Sequence, residues 1–155
     1  MSVDFSTLPV RANGQQIDAS WFNTIRTFLI NALGIVSGEV PQSIGQTDTN
    51  QDITALVFDK NEFHKIDIEY FVERLTSTDE VIAAGKLTLQ YRTLTNTWDL
   101  IEGPIDGDDA LISFSKFEDI SGGGNIVTVR YSTTTIPGTG HTGKLKTKFK
   151  TWGAA

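Results

Sequence analysis

Residues 63–74 read Phe63-His64-Lys65-Ile66-Asp67-Ile68-Glu69-Tyr70-Phe71-Val72-Glu73-Arg74. Ile66, Ile68, Tyr70 and Val72 recur at every second position, with Asp67, Glu69 and Glu73 between them. A period of two sends alternate side chains to opposite faces of a strand. One face here is apolar and the other acidic, the pattern of an antiparallel sheet with a dry side and a wet side. The same alternation returns twice. Leu87, Leu89 and Tyr91 oppose Lys86, Thr88, Gln90 and Arg92, and Val127, Val129 and Tyr131 oppose Ile126, Thr128 and Arg130.

Outward from this stretch, strands are predicted at 53–58, 64–75, 85–94, 97–102, 110–117, 125–133 and 143–152. Thr95-Asn96, Gly103-Pro104, Asp106-Gly107 and the run Ser121-Gly122-Gly123-Gly124-Asn125 supply turn chemistry between them. Seven short strands at this spacing predict a mainly β domain over 53–155, a seven-strand antiparallel sandwich of immunoglobulin-like architecture. The chain has no cysteine, so no disulfide pins that sandwich.

Upstream the period changes. Trp21, Phe22, Ile25, Phe28, Leu29, Ala32 and Leu33 mark one wide face of a helix over 18–33. Asp18 is placed as its N-cap, Ile17 and Phe22 as a hydrophobic staple, and Gly34 as its C′ glycine. Residues 1–17 read as an extended arm, so residues 1–36 are an arm plus an amphipathic docking helix. The polar residues 37–52 read as a linker. A helix of about four turns is marginal alone in water and must bury its apolar face. Its own domain, a second copy and a different protein are all open as partners.

The whole chain has 155 residues, 39% of them hydrophobic, enough for one domain with an extension. Its 13 basic and 19 acidic residues leave a net charge of −6, a poor balance for binding nucleic acid. The absence of cysteine excludes thiol nucleophiles and zinc–thiolate sites, and two histidines leave little for a His-based metal centre. No apolar run approaches the ~18 residues of a membrane span, and the start lacks the pattern of a secretion signal. These features predict a protein made and kept in the cytoplasm, or assembled there into something larger, without membrane insertion.

Apparent chemical motifs are weak. Gly138-Thr139-Gly140-His141-Thr142-Gly143-Lys144 nearly matches a phosphate-cradling loop, but position 145 is Leu where that loop needs a hydroxyl. The residues that follow alternate as a strand, whereas phosphate binding uses the N-terminus of a following helix. A hairpin connection is expected there instead. Asp48-Thr49-Asn50-Gln51-Asp52 has the first ligand spacing of a calcium loop but Ile53 at the glycine position and Asp59 at the glutamate position. Asp106, Asp108 and Asp109 surround the turn at Gly107 and read as solvated turn carboxylates. No nucleophile elbow occurs, and nothing singles out an acid–base pair of carboxylates. The expectation is no catalytic residue, no metal and no cofactor.

Charge is unevenly placed. Residues 1–115 carry 7 basic and 17 acidic residues, and residues 116–155 carry 6 basic and 2 acidic. Lys144, Lys146, Lys148 and Lys150 alternate along one strand face. Such a row blunts an edge strand, pairs across strands with carboxylates such as Asp67, Glu69 and Glu73, or meets the acidic face of a neighbouring subunit.

The N-terminal residues Leu8-Pro9-Val10-Arg11-Ala12-Asn13-Gly14-Gln15, with Ile17, Ala19-Ser20-Trp21-Phe22-Asn23 and Arg26, resemble the start of structural proteins of tailed bacteriophages. The stretch Phe63 to Tyr70 with Arg74, Gly85-Lys86-Leu87 leading to Tyr91, Trp98, and Gly143-Lys144-Leu145-Lys146 are similar to the β-rich domains of such proteins. The resemblance implies a non-enzymatic virion subunit at the tail tip, baseplate, collar or fibre attachment, synthesised in the host cytoplasm. Its partners would be other tail proteins and copies of itself, in a ring-like homo-oligomer. Leu8, Pro9, Arg11, Asn13, Gln15, Trp21, Phe22, Arg26 and Phe28 would make the docking contacts. Two other readings share the fold: a module binding a host-surface glycan or receptor, and a capsid decoration or head-fibre protein. For the glycan reading the candidates are Trp98 with Asn96 and Asp99, or Trp152. The competing expectation is that Trp98 fills the sandwich core.

Overall fold

The computed structural model describes residues 40–119 and 126–153. Among the described residues there are eight strands and no helix: β1 (Val40–Ser43), β2 (Gln51–Asp59), β3 (Phe63–Leu75), β4 (Glu80–Arg92), β5 (Thr97–Gly107), β6 (Ile112–Asp119), β7 (Ile126–Thr133) and β8 (Thr142–Gly153). All pairings are antiparallel. One sheet has the order β1-β8-β3-β4-β5 and the other β2-β7-β6.

The alternation that defines β3 sets the core. Ile68 stands opposite Leu87 on β4 and Phe149 on β8. Ile66, Ile68, Val72, Leu87, Leu89 and Leu145 are buried from the larger sheet. Ile53, Leu56, Phe58, Phe114, Val127, Val129 and Tyr131 are buried from the smaller one, in the same cluster. Rings meet between the sheets: Phe58 lies edge-on to Phe149 at 5.0 Å, and Tyr70 packs on Phe114 at 4.7 Å. Two inner faces interdigitating in this way remove both from water, which is the main favourable contribution to such a fold.

Side chains tie the sheets together at both edges. Gln42 on β1 donates its amide to the Asp52 carbonyl at 3.1 Å and accepts the Thr54 N–H at 3.3 Å. At the other edge Glu118 on β6 accepts the Trp98 N–H of β5 at 3.2 Å, while the Lys116 ammonium contacts the Trp98 carbonyl and the Glu118 carboxylate. These contacts satisfy backbone groups that an edge strand otherwise leaves open.

The seven predicted strands are all present, several of them longer than expected. The eighth, β1, falls in the stretch expected to be linker. Its sequence Val40-Pro41-Gln42-Ser43 lacks an alternating pattern, and Pro41 cannot donate to a ladder, so its place is a sheet edge. Ile44 behind it is buried, and the Asp48 carboxylate accepts the Gly45 N–H at 2.5 Å, turning the chain from one sheet into the other. Residues 40–52 are therefore part of the β domain, which begins before residue 53. That turn also places β1 and β2 in different sheets. The five-plus-three order differs from the immunoglobulin order, in which the first two strands are neighbours. The connection through Gly138 and Gly140 is likewise a crossing between sheets rather than a hairpin, since β7 and β8 lie in different sheets. The arm, the docking helix over 18–33 and the glycine run 121–125 lie outside the described residues.

Candidate functional site

The outward face of the five-stranded sheet carries the lysine row. Lys144, Lys146, Lys148 and Lys150 stand opposite Glu73, Phe71, Glu69 and Asp67 of β3. Lys144 and Lys146 lie between β1 and β3, and Lys148 faces Glu69 across β3, so cross-strand pairing describes that part of the row. Lys148 reaches Glu69 at 2.8 Å, and Lys86 of β4 approaches the same carboxylate at 3.6 Å from the other side. The hydrogen bond from Lys148, aided by the charge of Lys86, holds Glu69 below the usual carboxylate range.

Beside this triad lies an open groove of about 630 Å³ that crosses β8, β3, β4 and β5. Phe71 and Ala84 bring apolar surface to it, Lys86, Lys146 and Lys148 bring cations, and Glu69 and Asp106 bring carboxylates. The Lys146 ammonium lies 5.9 Å from the centre of the Phe71 ring. On the outward face of β4 the small residue is Ala84, opposite Phe71, while Gly85 faces inward. Ala84 and Gly85 follow one another opposite Phe71 and Tyr70. A side chain at Gly85 would meet the Tyr70 hydroxyl at 2.4 Å, so glycine there leaves room for the tyrosine.

Further along β8, Trp152 is 37% exposed. Lys65 and Lys150 flank its ring at 4.8 and 5.0 Å, an arrangement that favours cation–π attraction. Of the two tryptophans considered as sugar platforms, only this one is open. Trp98 is 2% exposed and packs on Tyr91 at 5.4 Å, so it belongs to the core. Its expected companions are engaged elsewhere: Asn96 accepts Lys60 at 2.7 Å and the Tyr91 hydroxyl, and Asp99 pairs with Arg92 at 2.6 Å.

The other acidic stretches are structural. Asp48 accepts the Tyr131 hydroxyl at 2.8 Å, and Asp52 pairs with Arg130 at 2.6 Å. Asp108 accepts the Ile82 N–H at 3.2 Å and Asp109 the Leu111 N–H at 2.9 Å. Among the described residues no group of three or more His, Asp or Glu side chains is placed to hold a metal. No helix there is long and apolar enough to cross a membrane.

A buried node sits behind the sheet. Arg74 is fully buried and donates to the carbonyls of Ala110 at 2.9 Å and Gln46 at 3.1 Å. Its Nε–H points at His141 Nε2 at 3.4 Å. Burial lowers the Arg74 pKa, partly offset by Asp48. Burial and the Arg74 charge lower that of His141. Burial, with the Asp48 hydrogen bond, pushes the Tyr131 phenol up to about 12.

Sequence reasoning placed the lysine row but missed two features. Arg74 continues the inward phase of Ile66, Ile68, Tyr70 and Val72, a signal present in the sequence. The groove residues Phe71, Ala84, Lys86 and Asp106 come from three strands, and only their register brings them together. The docking residues Leu8, Pro9, Arg11, Asn13, Gln15, Trp21, Phe22, Arg26 and Phe28 lie outside the described residues.

No protein-family model and no curated protein matches this chain. Among solved structures, the crystal structure of the tailspike protein of Acinetobacter baumannii phage AM24 is similar at a TM-score of 0.38 and 10% identity. The likeness covers 77% of this chain and 27% of the tailspike chain.

Proposed function

We propose that this chain is a non-enzymatic structural subunit of a tailed-phage virion. It is tail-associated, at the tail tip, baseplate, collar or fibre attachment. It docks through residues 1–36 and assembles in multiple copies, while the β domain serves as a displayed spacer. The sequence resemblance to tailed-phage structural proteins supports the class. The observation that supports the division of labour is where the β domain begins. Its first strand is β1 at Val40, and its core draws on side chains from Ile44 to Leu145. The docking candidates all precede that strand.

The test is the solution mass by light scattering, with and without residues 1–36. The expected result is a defined multimer for the full chain and a folded monomer for the truncated one. A monomer in both forms, or a multimer that survives truncation, overturns the assignment of assembly to the N-terminal segment.

A further inference from the structure

The groove across the five-stranded sheet has the make-up of a ligand site: open, with apolar surface from Phe71 and Ala84 and a few polar groups along it. Its volume of about 630 Å³ is within the usual range for small-ligand sites, about 300–1,000 Å³. Its charges are mixed. Among the described lining residues, Lys86, Lys146 and Lys148 stand with Glu69 and Asp106. Lys148 and Lys86 already converge on Glu69, which holds both ammonium groups in the groove.

Mixed charge selects the ligand. A phosphate-dense polyanion or a run of acidic peptide side chains would meet the lysines but also the two carboxylates, which repel it. A carboxylated sugar has one anionic group for the lysines and several hydroxyls that donate to carboxylates. Its C–H face packs on an aromatic ring such as Phe71. Trp152 lies on the same outward face of β8, four residues from Lys148 and ~13 Å away at about 3.3 Å per residue. That separation places a second ring within reach of an oligomer.

We propose that this groove binds a carboxylate-bearing oligosaccharide. Phe71 is the ring floor, Lys86 and Lys146 contact the carboxylate, and Glu69 and Asp106 accept sugar hydroxyls. The site is independent of the assembly reading: it lies wholly within the β domain and uses none of the docking candidates.

The test is calorimetric titration of the full chain with trigalacturonate, sialyllactose and a hyaluronan tetrasaccharide. Galactotriose and a triglutamate peptide serve as neutral and charge-only comparators. At least one carboxylated sugar is expected to bind saturably and at least tenfold more tightly than either comparator. The double variant Lys86→Gln, Lys146→Gln should weaken that binding about tenfold or more, the scale of losing a charge-assisted hydrogen bond. Phe71→Leu should also weaken it, whereas Lys60→Gln, in the β2–β3 connection beside Asn96, should not. Absence of saturable binding by all three sugars overturns the proposal. So does equal binding of triglutamate, or affinity unchanged in the double variant. Light scattering on the same variants separates the two readings, since the mass should not change with the groove substitutions.

Discussion

Strand β3 has two faces, and each carries charge in a different way. On the inward face Arg74 is enclosed, and its guanidinium is satisfied by backbone carbonyls and a neutral-side contact to His141. On the outward face Glu69 is shared between Lys148 and Lys86, with its side chain 46% exposed. The same chemistry of cation and acceptor serves different ends. A buried charge cannot lose its partners without leaving a desolvated ion, so it locks one arrangement of the surrounding chain. An exposed pair contributes little to stability because water and salt screen it.

The comparison breaks most directly at Arg74. Arg74→Ala leaves the Ala110 and Gln46 carbonyls without their donor and Asp48 without its nearby cation. A loss of about 2–5 kcal/mol is expected in urea unfolding, from the orphaned carbonyls and the space left behind. A loss below about 1 kcal/mol would show that the node is as weakly coupled as the surface. Tyr131→Phe, which removes the hydroxyl donated to Asp48, should cost about 1.5–3 kcal/mol by the same measurement. Gly85→Ala tests the floor beside the groove. The new methyl group would collide with the Tyr70 ring, for an expected cost of about 1–3 kcal/mol in thermal unfolding. The outward pair should matter least: a double-mutant cycle on Lys148→Gln and Glu69→Gln should give a coupling of about 0.2–1 kcal/mol, shrinking as salt rises.

Acid should separate the faces as well. The pKa of His141 is lowered in the folded protein, so the unfolded chain binds its proton first as pH falls. Its stabilising contribution is complete above the ordinary value of 6.5 and is lost as pH falls below that toward the folded value. Glu69 is also lowered, from 4.5, so its contribution is present above 4.5 and disappears only in stronger acid. Unfolding midpoints measured from pH 8 to 5 should therefore fall for the natural chain and flatten in His141→Gln. Glu69→Gln should leave that window unchanged.

The strands were legible because burial on one face writes a period of two into β3, β4, β7 and β8, and water on the other face preserves it. Trp98 as a core residue and the register of Lys144, Lys148 and Lys150 across from Glu73, Glu69 and Asp67 follow from the same logic, with Lys148 and Glu69 at ion-pair distance. Strand β1 was not legible. It is short, contains Pro41, and is held by the Gln42 side chain and by pairing with β8, about a hundred residues away in sequence. Periodicity is a local property, so it assigns residues to a face but not strands to a sheet. The sheet order follows from turns such as Gly45–Asp48 and from the closure of two inner faces on one core. The groove belongs to that second kind of information. Phe71, Ala84, Asp106 and Lys146 are unremarkable in sequence and line one groove only because register aligns four strands.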